Sequence, residues 1–141
     1  MHAVHAGPAS PRSASAGEAA WHRAEFVETP AMRYQPVNAW GIPTGRVESR
    51  PAASEVLGDK FIDDGYDEVA DGSVFALSGG DRRIEVHFDE GYTAAQVFAP
   101  GDDDVVCFEP MAAPTDALRR GGYREVQPGE SAVAQFRIKI S

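Results

Sequence analysis

The chain has 141 residues, with 13 Lys and Arg against 22 Asp and Glu, so its formal net charge is −9 when the histidines are neutral. This length suits one domain, and an apolar fraction of 43% is enough to fill a hydrophobic core. The negative charge excludes nucleic acid and anionic membrane surfaces as expected partners, and no apolar run approaches the roughly 20 residues that a membrane-spanning helix needs.

The N-terminal part of the chain is rich in Ala, Ser, Gly and Pro, and it lacks the basic start and apolar stretch of a secretory signal. Such a composition buries too little apolar surface to offset its ordering entropy. We therefore expect a flexible tail over residues 1–24 and one domain over residues 25–141. The single cysteine, Cys107, excludes an internal disulfide and a multi-cysteine zinc site. It fits a reducing compartment, and we expect a cytoplasmic protein.

Turn-forming residues separate short segments of strand character from about residue 29 onward. Between residues 83 and 88, apolar and polar side chains alternate, which predicts a strand with one buried face. Tyr92–Ala99 follows after a short polar turn, and we expect the two segments to pair as a hairpin. Val105–Glu109 predicts a further strand. The alternation over residues 134–140 predicts the last strand.

One short helix is predicted, in which Thr115 caps the turn Asp116–Arg120 and Gly121 ends it. The segment Gln127–Glu130 suits a type II turn, with Pro128 at its second position and glycine at its third. The pattern alone therefore predicts a mainly β fold of sandwich type with one short helix.

Glu109 is the first candidate for chemistry, because it closes the apolar run of residues 105–108 and is followed at once by Pro110. In a strand, Cys107 and Glu109 point to the same face. A carboxylate beside a small apolar side chain is expected to be partly desolvated, and burial disfavours the charged form of a carboxyl group. That environment suits a general acid or base near neutral pH. The alternative is that the strand ends there and Glu109 is solvated.

The second candidate is the acidic pair Asp63 and Asp64, which lies between bulky apolar residues. Adjacent residues diverge, so at most one of the two faces a given ligand; the alternative is a turn with one capping aspartate. His87 lies on the polar face of its strand, where solvent exposure is expected. Asp102–Asp104 is interpreted as a charged turn rather than a cation site.

Several motifs resemble one known family. The segments Cys107-Phe108-Glu109-Pro110-Met111, Ala113-Pro114-Thr115-Asp116-Ala117-Leu118 and Pro128-Gly129-Glu130 resemble the C-terminal block of the aldose 1-epimerases, the mutarotases. Upstream, Ile42-Pro43-Thr44-Gly45 and Phe61-Ile62-Asp63-Asp64-Gly65-Tyr66 are similar to two further motifs of that family, in the same order. Together these motifs cover the chain from about residue 29 to its end.

The resemblance implies part of a galactose mutarotase-like super-sandwich that interconverts the α and β anomers of a free hexose, an isomerase of carbohydrate metabolism. It implies that Glu109 is the general base at the C1 hydroxyl and that Asp63 binds sugar hydroxyls. Phe98 would line the groove beside them. No metal or organic cofactor is implied, and the expected partner is a small-molecule hexose.

Members of that family are longer, and their N-terminal half supplies a histidine that protonates the ring oxygen. No such segment is present here, so the resemblance implies the C-terminal half of a mutarotase with incomplete catalytic machinery. His87 could replace the acid only if it lay across the groove from Glu109. The alternatives are a non-catalytic sugar-binding remnant and a β-sandwich interaction module. Open sheet edges would favour a homodimer or a complementing N-terminal half chain.

Overall fold

The computed structural model describes residues 3–5 and 25–141. Within these residues the chain is mainly β, with two antiparallel sheets and one short helix, an arrangement consistent with a β-sandwich. In chain order the elements are β1 (Ala3–His5), β2 (Phe26–Thr29), β3 (Met32–Tyr34), β4 (Glu48–Arg50), β5 (Ala53–Val56), β6 (Ile62–Asp67), β7 (Ser73–Gly79), β8 (Arg82–Glu90), β9 (Ala94–Ala99), β10 (Val105–Met111), α1 (Ala117–Arg120) and β11 (Gln135–Ile140). The first sheet has the strand order β1-β10-β9-β6-β3-β4, and the second has β11-β8-β7-β2-β5. The prediction of a mainly β chain is confirmed.

The hydrophobic core lies between the two sheets, and aromatic rings join them. The ring centroid of Phe75 on β7 lies 4.7 Å from that of Phe88 on β8 and 5.6 Å from that of Phe108 on β10. All three side chains are fully buried, and full burial of one such side chain contributes about 1.5–3 kcal/mol. The other buried members of this cluster are Val27, Met32, Leu57, Tyr66, Val69, Leu77, Val86, Ala95, Val97, Ala99 and Val106. Side chains that alternate with these point away from the core.

The alternation predicted along β8 is confirmed, but the hairpin predicted between β8 and β9 is wrong. Strand β8 pairs with β7 and β11, whereas β9 pairs with β6 and β10. The chain passes from the second sheet to the first at Gly91, where φ is +78°. Beyond it, the ring of Tyr92 packs 5.8 Å from the ring of Phe88. Two strands that each carry one apolar face bury those faces against each other by lying in opposite sheets.

Helix α1 is shorter than predicted, and its N-cap is Asp116 rather than Thr115. Asp116 has a φ of +66° and makes no capping hydrogen bond. Its carboxylate instead accepts a hydrogen bond of 3.1 Å from Nε of Arg120. Gly121 ends the helix as predicted. The turn Gln127–Glu130 is also confirmed, because the Glu130 N–H donates to the Gln127 carbonyl at 2.9 Å.

Strand β11 forms one edge of the second sheet. It pairs with β8 on one side, and no strand of the described residues pairs with its other side. Phe136 packs against the core, but Ile138 and Ile140, on the same face, are 47% and 70% exposed. An apolar surface therefore continues from the core to an unpaired sheet edge.

The tail predicted over residues 1–24 lies outside the described residues, apart from β1, which pairs with Val105–Cys107 of β10. In the described part of the chain, no helix is long and apolar enough to cross a membrane.

Candidate functional site

A cavity of about 440 Å³ opens on the face of the first sheet that points away from the core; we call it the outer cavity. Strands β6, β9 and β10 form its floor, and the loop before β4 together with the start of the α1 segment forms its rim. Its lining residues are Gln35, Val37, Gly41, Pro43, Asp63, Gly65, Tyr66, Ala95, Gln96, Phe98, Glu109, Met111 and Thr115. The three site residues predicted from the sequence, Asp63, Phe98 and Glu109, all line this cavity.

One cross-strand row of the floor contains Glu109. In the antiparallel register, Gln96 of β9 lies opposite Glu109 of β10 on one side and opposite Gly65 of β6 on the other. Glu109 is half-buried, and its strand continues through Pro110 to Met111. The alternative that the strand ends at Glu109 is therefore wrong. Gly65 has no side chain, and a Cβ there would lie 3.1 Å from Oε1 of Gln96, so glycine makes room for the Gln96 side chain.

The neighbouring row contains Asp63. Phe98 of β9 lies opposite Asp63 of β6 and opposite Cys107 of β10. The side-chain amide of Gln96 donates a hydrogen bond of 2.7 Å to Oδ1 of Asp63, which links the two rows. The ring of Phe98 meets that of Phe61 edge-on at 6.1 Å. An apolar ring, two carboxylates and an amide therefore share one concave surface, the composition typical of a small polar ligand site.

The acidic pair separates as the strand geometry requires. Asp63 points into the outer cavity, whereas Asp64 points to the opposite face of β6. There Oδ2 of Asp64 accepts a hydrogen bond of 3.2 Å from the Tyr66 hydroxyl and lies 3.4 Å from Nη1 of Arg50. The expectation that the two adjacent aspartates diverge is thus confirmed, and the alternative of a capped turn is wrong because both lie within β6.

The rim loop is held in place by local hydrogen bonds. Oδ1 of Asn38 accepts from the backbone N–H groups of Trp40 and Ile42 at 2.9 and 3.1 Å. An isolated bridge pairs Val37 with Pro43. Arg120 of α1 donates to the Pro43 carbonyl. This last contact ties the helix to the rim on the side where Thr115 lines the cavity.

Below the rim, Gln35 connects the cavity to the partly buried ion pair of Arg33 and Asp67. Nε2 of Gln35 donates to Asp67 at 2.6 Å, while Nε and Nη2 of Arg33 reach the same carboxylate at 2.5 and 2.8 Å. The hydrogen bond from Arg33 is the main reason that the pKa of Asp67 lies below its usual value, despite burial of the carboxylate. The hydrogen bond to Asp67 orients the side chain of Gln35 and uses one of its amide hydrogens.

Cys107 is buried beside the cavity, as its position in the strand predicts. The residue is 5% exposed. Burial raises the pKa of its thiol, and the nearby charge of Glu109 raises it further. Both effects keep the thiol protonated, which makes Cys107 a packing residue rather than a nucleophile.

His87 does not lie across the cavity from Glu109. It belongs to β8 in the second sheet, where it alternates with the core residues Val86 and Phe88. The expected solvent exposure is wrong, since only 16% of its side chain is exposed. Its Nε2 lies 3.0 Å from the carboxylate of Glu85, and its Nδ1 lies 3.2 Å from Nη2 of Arg137.

Glu85 is the centre of the charged network that holds His87. Hydrogen bonds from Arg83 and then from His87 lower the pKa of Glu85 to about 2. Lys139 lies 3.4 Å from the same carboxylate. This network covers the outward face of the second sheet, so His87 has a structural environment there and is not available to the outer cavity.

Among the described residues that line the outer cavity, the carboxylates are those of Asp63 and Glu109. No histidine is among these residues. In the described part of the chain, no three or more His, Cys, Asp or Glu side chains are grouped so as to hold a metal ion. The arrangement can therefore bind hydroxyl groups and accept a proton.

Sequence reasoning missed the two glutamines, Gln35 and Gln96, and the role of Gly65. Gln96 lies two residues from Phe98 in a strand of alternating pattern, so the alternation that placed Phe98 also places Gln96 on the same face. Gln35 lies just beyond β3 and carries no such signal, because its position depends on the pairing of β3 with β6.

No known family model matches this chain, and no curated protein matches it either. The assignment of the site therefore rests on its geometry and on the motif resemblance.

Proposed function

We propose that the chain binds a free hexose in the outer cavity and acts as an aldose 1-epimerase-like mutarotase with Glu109 as general base. One observation carries this proposal: Asp63, Phe98 and Glu109, which are distant in sequence, line one cavity on one sheet face. The motif resemblance selects Asp63 and Glu109, and Phe98 lies on the strand before Glu109. The proposal gives each a role, with Asp63 as a ligand for sugar hydroxyls and Phe98 as an apolar wall.

Mutarotation requires a base and an acid. Glu109 takes the proton of the C1 hydroxyl, the freed electron pair forms the C1 carbonyl, and the bond between C1 and the ring oxygen breaks. The ring oxygen then takes up a proton, and closure on the other face of C1 gives the other anomer. A positioned general acid or base contributes roughly 10²–10⁴-fold to such a step.

The lining residues supply the base but no imidazole for the ring oxygen. Solvent would then have to provide that proton in the isolated chain. We therefore expect the chain alone to accelerate anomerisation weakly or not at all, and a complementing N-terminal half to raise the rate by providing the acid.

Polarimetry with freshly dissolved α-glucose and α-galactose tests this proposal. A rate above that of buffer should disappear in Glu109→Gln, which preserves shape and removes basicity. Glu125→Gln is the matched control, because Glu125 is exposed and outside the cavity. A rate that persists in Glu109→Gln would contradict the assigned base. Hexose binding with no rate would make the chain a sugar-binding remnant.

A second candidate function, strand addition, is favoured by the unpaired edge of β11. Ile138 and Ile140 are exposed on one face of this edge, and Arg137 and Lys139 are 62% and 61% exposed on the other. Antiparallel pairing with a second copy would bring like charges together, which is destabilising. An extended partner strand with alternating apolar and acidic side chains fits better.

A short peptide of alternating valine and glutamate, titrated against the full chain, tests strand addition. Binding that is lost with a valine–lysine peptide, and reduced by Ile140→Glu, would support this function. Equal binding of the two peptides would contradict it.

A further inference from the structure

A second cavity, of about 340 Å³, opens between the two sheets on the side of the sandwich where β4 and β5 lie; we call it the inter-sheet cavity. Strand β2 of the second sheet and strand β6 of the first supply most of its lining. Asp63 and Asp64, adjacent in β6, line one cavity each, Asp63 the outer cavity and Asp64 the inter-sheet cavity. A space of this volume falls in the size range of small-molecule sites in proteins.

The inner end of the inter-sheet cavity is aliphatic. Val27 of β2 and Val97 of β9 line it, and both belong to the buried core. Ile62 of β6 lines it too and packs against the same core. Protein interiors are normally filled to the density of organic crystals, yet here branched core side chains adjoin an open space. An apolar ligand group placed against them exchanges water for an aliphatic surface, which is favourable.

Two ion pairs surround the mouth of the cavity. Lys60, in the loop before β6, contacts Glu55 of β5, so this pair joins the two sheets across the opening. Arg50 of β4 lies 3.4 Å from Asp64 of β6. The two cations and two anions cancel, and the lining carries no net charge. A charged ligand would meet a like charge beside each opposite one and would also lose its hydration, so an uncharged ligand fits better.

Arg50 has hydrogen-bond donors available at this mouth. Its Nη1 lies 3.4 Å from Oδ2 of Asp64, and its Nη2 lies 4.0 Å from Glu48; charge-assisted hydrogen bonds are typically about 2.7–2.9 Å long. The same Oδ2 already accepts a hydrogen bond from the Tyr66 hydroxyl. The guanidinium carbon lies 3.8 Å from the centroid of the Tyr34 ring. Stacking therefore holds the guanidinium in place, while most of its N–H groups make no hydrogen bond to the residues that the structure describes.

We propose that the inter-sheet cavity binds a small uncharged amphiphile, an aliphatic chain that ends in a carbonyl or hydroxyl oxygen. The chain lies against Val27, Ile62 and Val97, and the oxygen accepts a hydrogen bond from Arg50. At about 30 Å³ for each water-sized unit, the volume holds roughly ten non-hydrogen atoms, so we expect a chain of about six to eight carbons. This site is independent of hexose binding in the outer cavity.

A ligand can reach the inter-sheet cavity without unfolding of the core. The side chains of Lys60 and Glu55 at the mouth are both exposed, and exposed ion pairs contribute little to stability. Their separation to admit a ligand therefore costs little. Phe61 also lines the cavity and is 67% exposed, which adds an apolar surface on the way in.

NMR titration of the methyl groups of the full chain with 2-heptanone tests the inference, with heptanoate and heptylamine as charged probes of the same length. We expect saturable shifts of the methyl signals of Val27, Ile62 and Val97, and at least tenfold weaker binding of each charged probe. Arg50→Met keeps an unbranched side chain and removes the donors, so it should weaken 2-heptanone binding about tenfold, the effect of one hydrogen bond to a charged group. Arg124→Met, exposed and outside the cavity, is the matched control.

Three results would overturn the inference: shifts that do not saturate, a charged probe that binds as tightly as 2-heptanone, or an unchanged affinity in Arg50→Met. Shifts confined to Ile138 and Ile140 would also overturn it, since they would place the probe on the exposed edge of β11. Ile62→Phe fills the space and should abolish binding; if this variant does not fold, Arg50→Met decides. No hexose is used, so failure here leaves the proposed function standing.

Discussion

The side-chain amide of Gln96 donates a hydrogen bond of 2.7 Å to Oδ1 of Asp63 across strands β9 and β6. Gln96 also lies opposite Glu109 on β10. One amide is therefore positioned between the two carboxylates of the outer cavity. It fixes the orientation of Asp63 and leaves the second oxygen, Oδ2, for a ligand.

Replacing Asp63 by asparagine should weaken hexose binding without unfolding the chain. A carboxylate that accepts two sugar hydroxyls makes charge-assisted bonds of about 1.5–3 kcal/mol each, and an amide oxygen accepts more weakly. Asp63 lies on the outward face, so the core is unchanged. Calorimetric titration with glucose and galactose measures the loss, with Asp81→Asn, in an exposed turn, as control. Unchanged affinity in a folded Asp63→Asn protein would remove Asp63 from the site.

Replacing Gly65 by alanine should lower the affinity for hexose without lowering the stability of the fold. Gly65 does not have a positive φ, so alanine fits its backbone, and glycine within a strand costs about 0.5–1 kcal/mol relative to alanine. A Cβ there would lie 3.1 Å from Oε1 of Gln96, which must turn aside and weaken its bond to Asp63. We expect an unchanged or higher melting temperature together with lower hexose affinity. Gly65→Val should lower the affinity further, and full affinity in both variants would show that this space is not used by ligand.

The charge of Asp67 should stabilise the fold near neutral pH, and this contribution to the free energy of unfolding should be lost in acid. Its pKa is lowered chiefly by the hydrogen bond from Arg33. A carboxyl group whose pKa is lower in the folded state than in the unfolded state stabilises the fold when the pH is above the unfolded pKa, here near 3.8. That contribution is lost as the pH falls through the lower pKa of the folded state. Asp67→Asn should therefore lower the free energy of unfolding by about 1.5–3 kcal/mol near neutral pH.

Urea unfolding over a range of pH measures this effect. The gap between the native chain and Asp67→Asn should narrow as the pH is taken below 3.8. Glu68→Gln is the control, because Glu68 contacts the same Arg33 but its side chain is 65% exposed, so its loss should cost less than about 1 kcal/mol. A gap that stays constant with pH would show that the charge of Asp67 does not stabilise the fold.

Cys107 should react slowly with thiol reagents in the native chain. The residue is 5% exposed, and both burial and the charge of Glu109 raise the pKa of its thiol. Iodoacetamide labelling followed by mass spectrometry should be much slower in the native chain than in urea. Rapid native labelling would contradict the packing of β10 against its neighbours.

The strands could be predicted because alternation along the sequence reports directly which side chains are buried. Residues 84–88 show this in β8, whereas in β11 the same alternation predicts the strand but only Phe136 is partly buried. The sheet to which each strand belongs could not be predicted, since the turn at Gly91 has the same local appearance in a hairpin and in a passage between sheets. The cap of α1 was misplaced by one residue, because the φ of +66° at Asp116 has no signal in the sequence.

Part of the candidate site could be predicted, because the motif resemblance and the alternation of side chains along the strands select Asp63, Phe98 and Glu109 and place them on outward faces. The three side chains come together because of the register in which β6, β9 and β10 pair. The alternation of residues along each strand does not determine that register. A second cavity, lined by Arg33, Arg46 and Arg120, could not be predicted for the same reason, because these residues come from three separate segments that only long-range contacts bring together.

Because the outer cavity lies on the outward face of the first sheet, a ligand can enter and leave it without opening the core. Phe75, Phe88 and Phe108 are sealed between the sheets, whereas the rim before β4 lies at the protein surface. Amide hydrogens of β7 and β8 should therefore exchange with deuterium at rates set by global unfolding. Those of the rim should be protected directly by bound ligand. Variation in the rim can then alter ligand preference without altering the folding cooperativity of the sandwich.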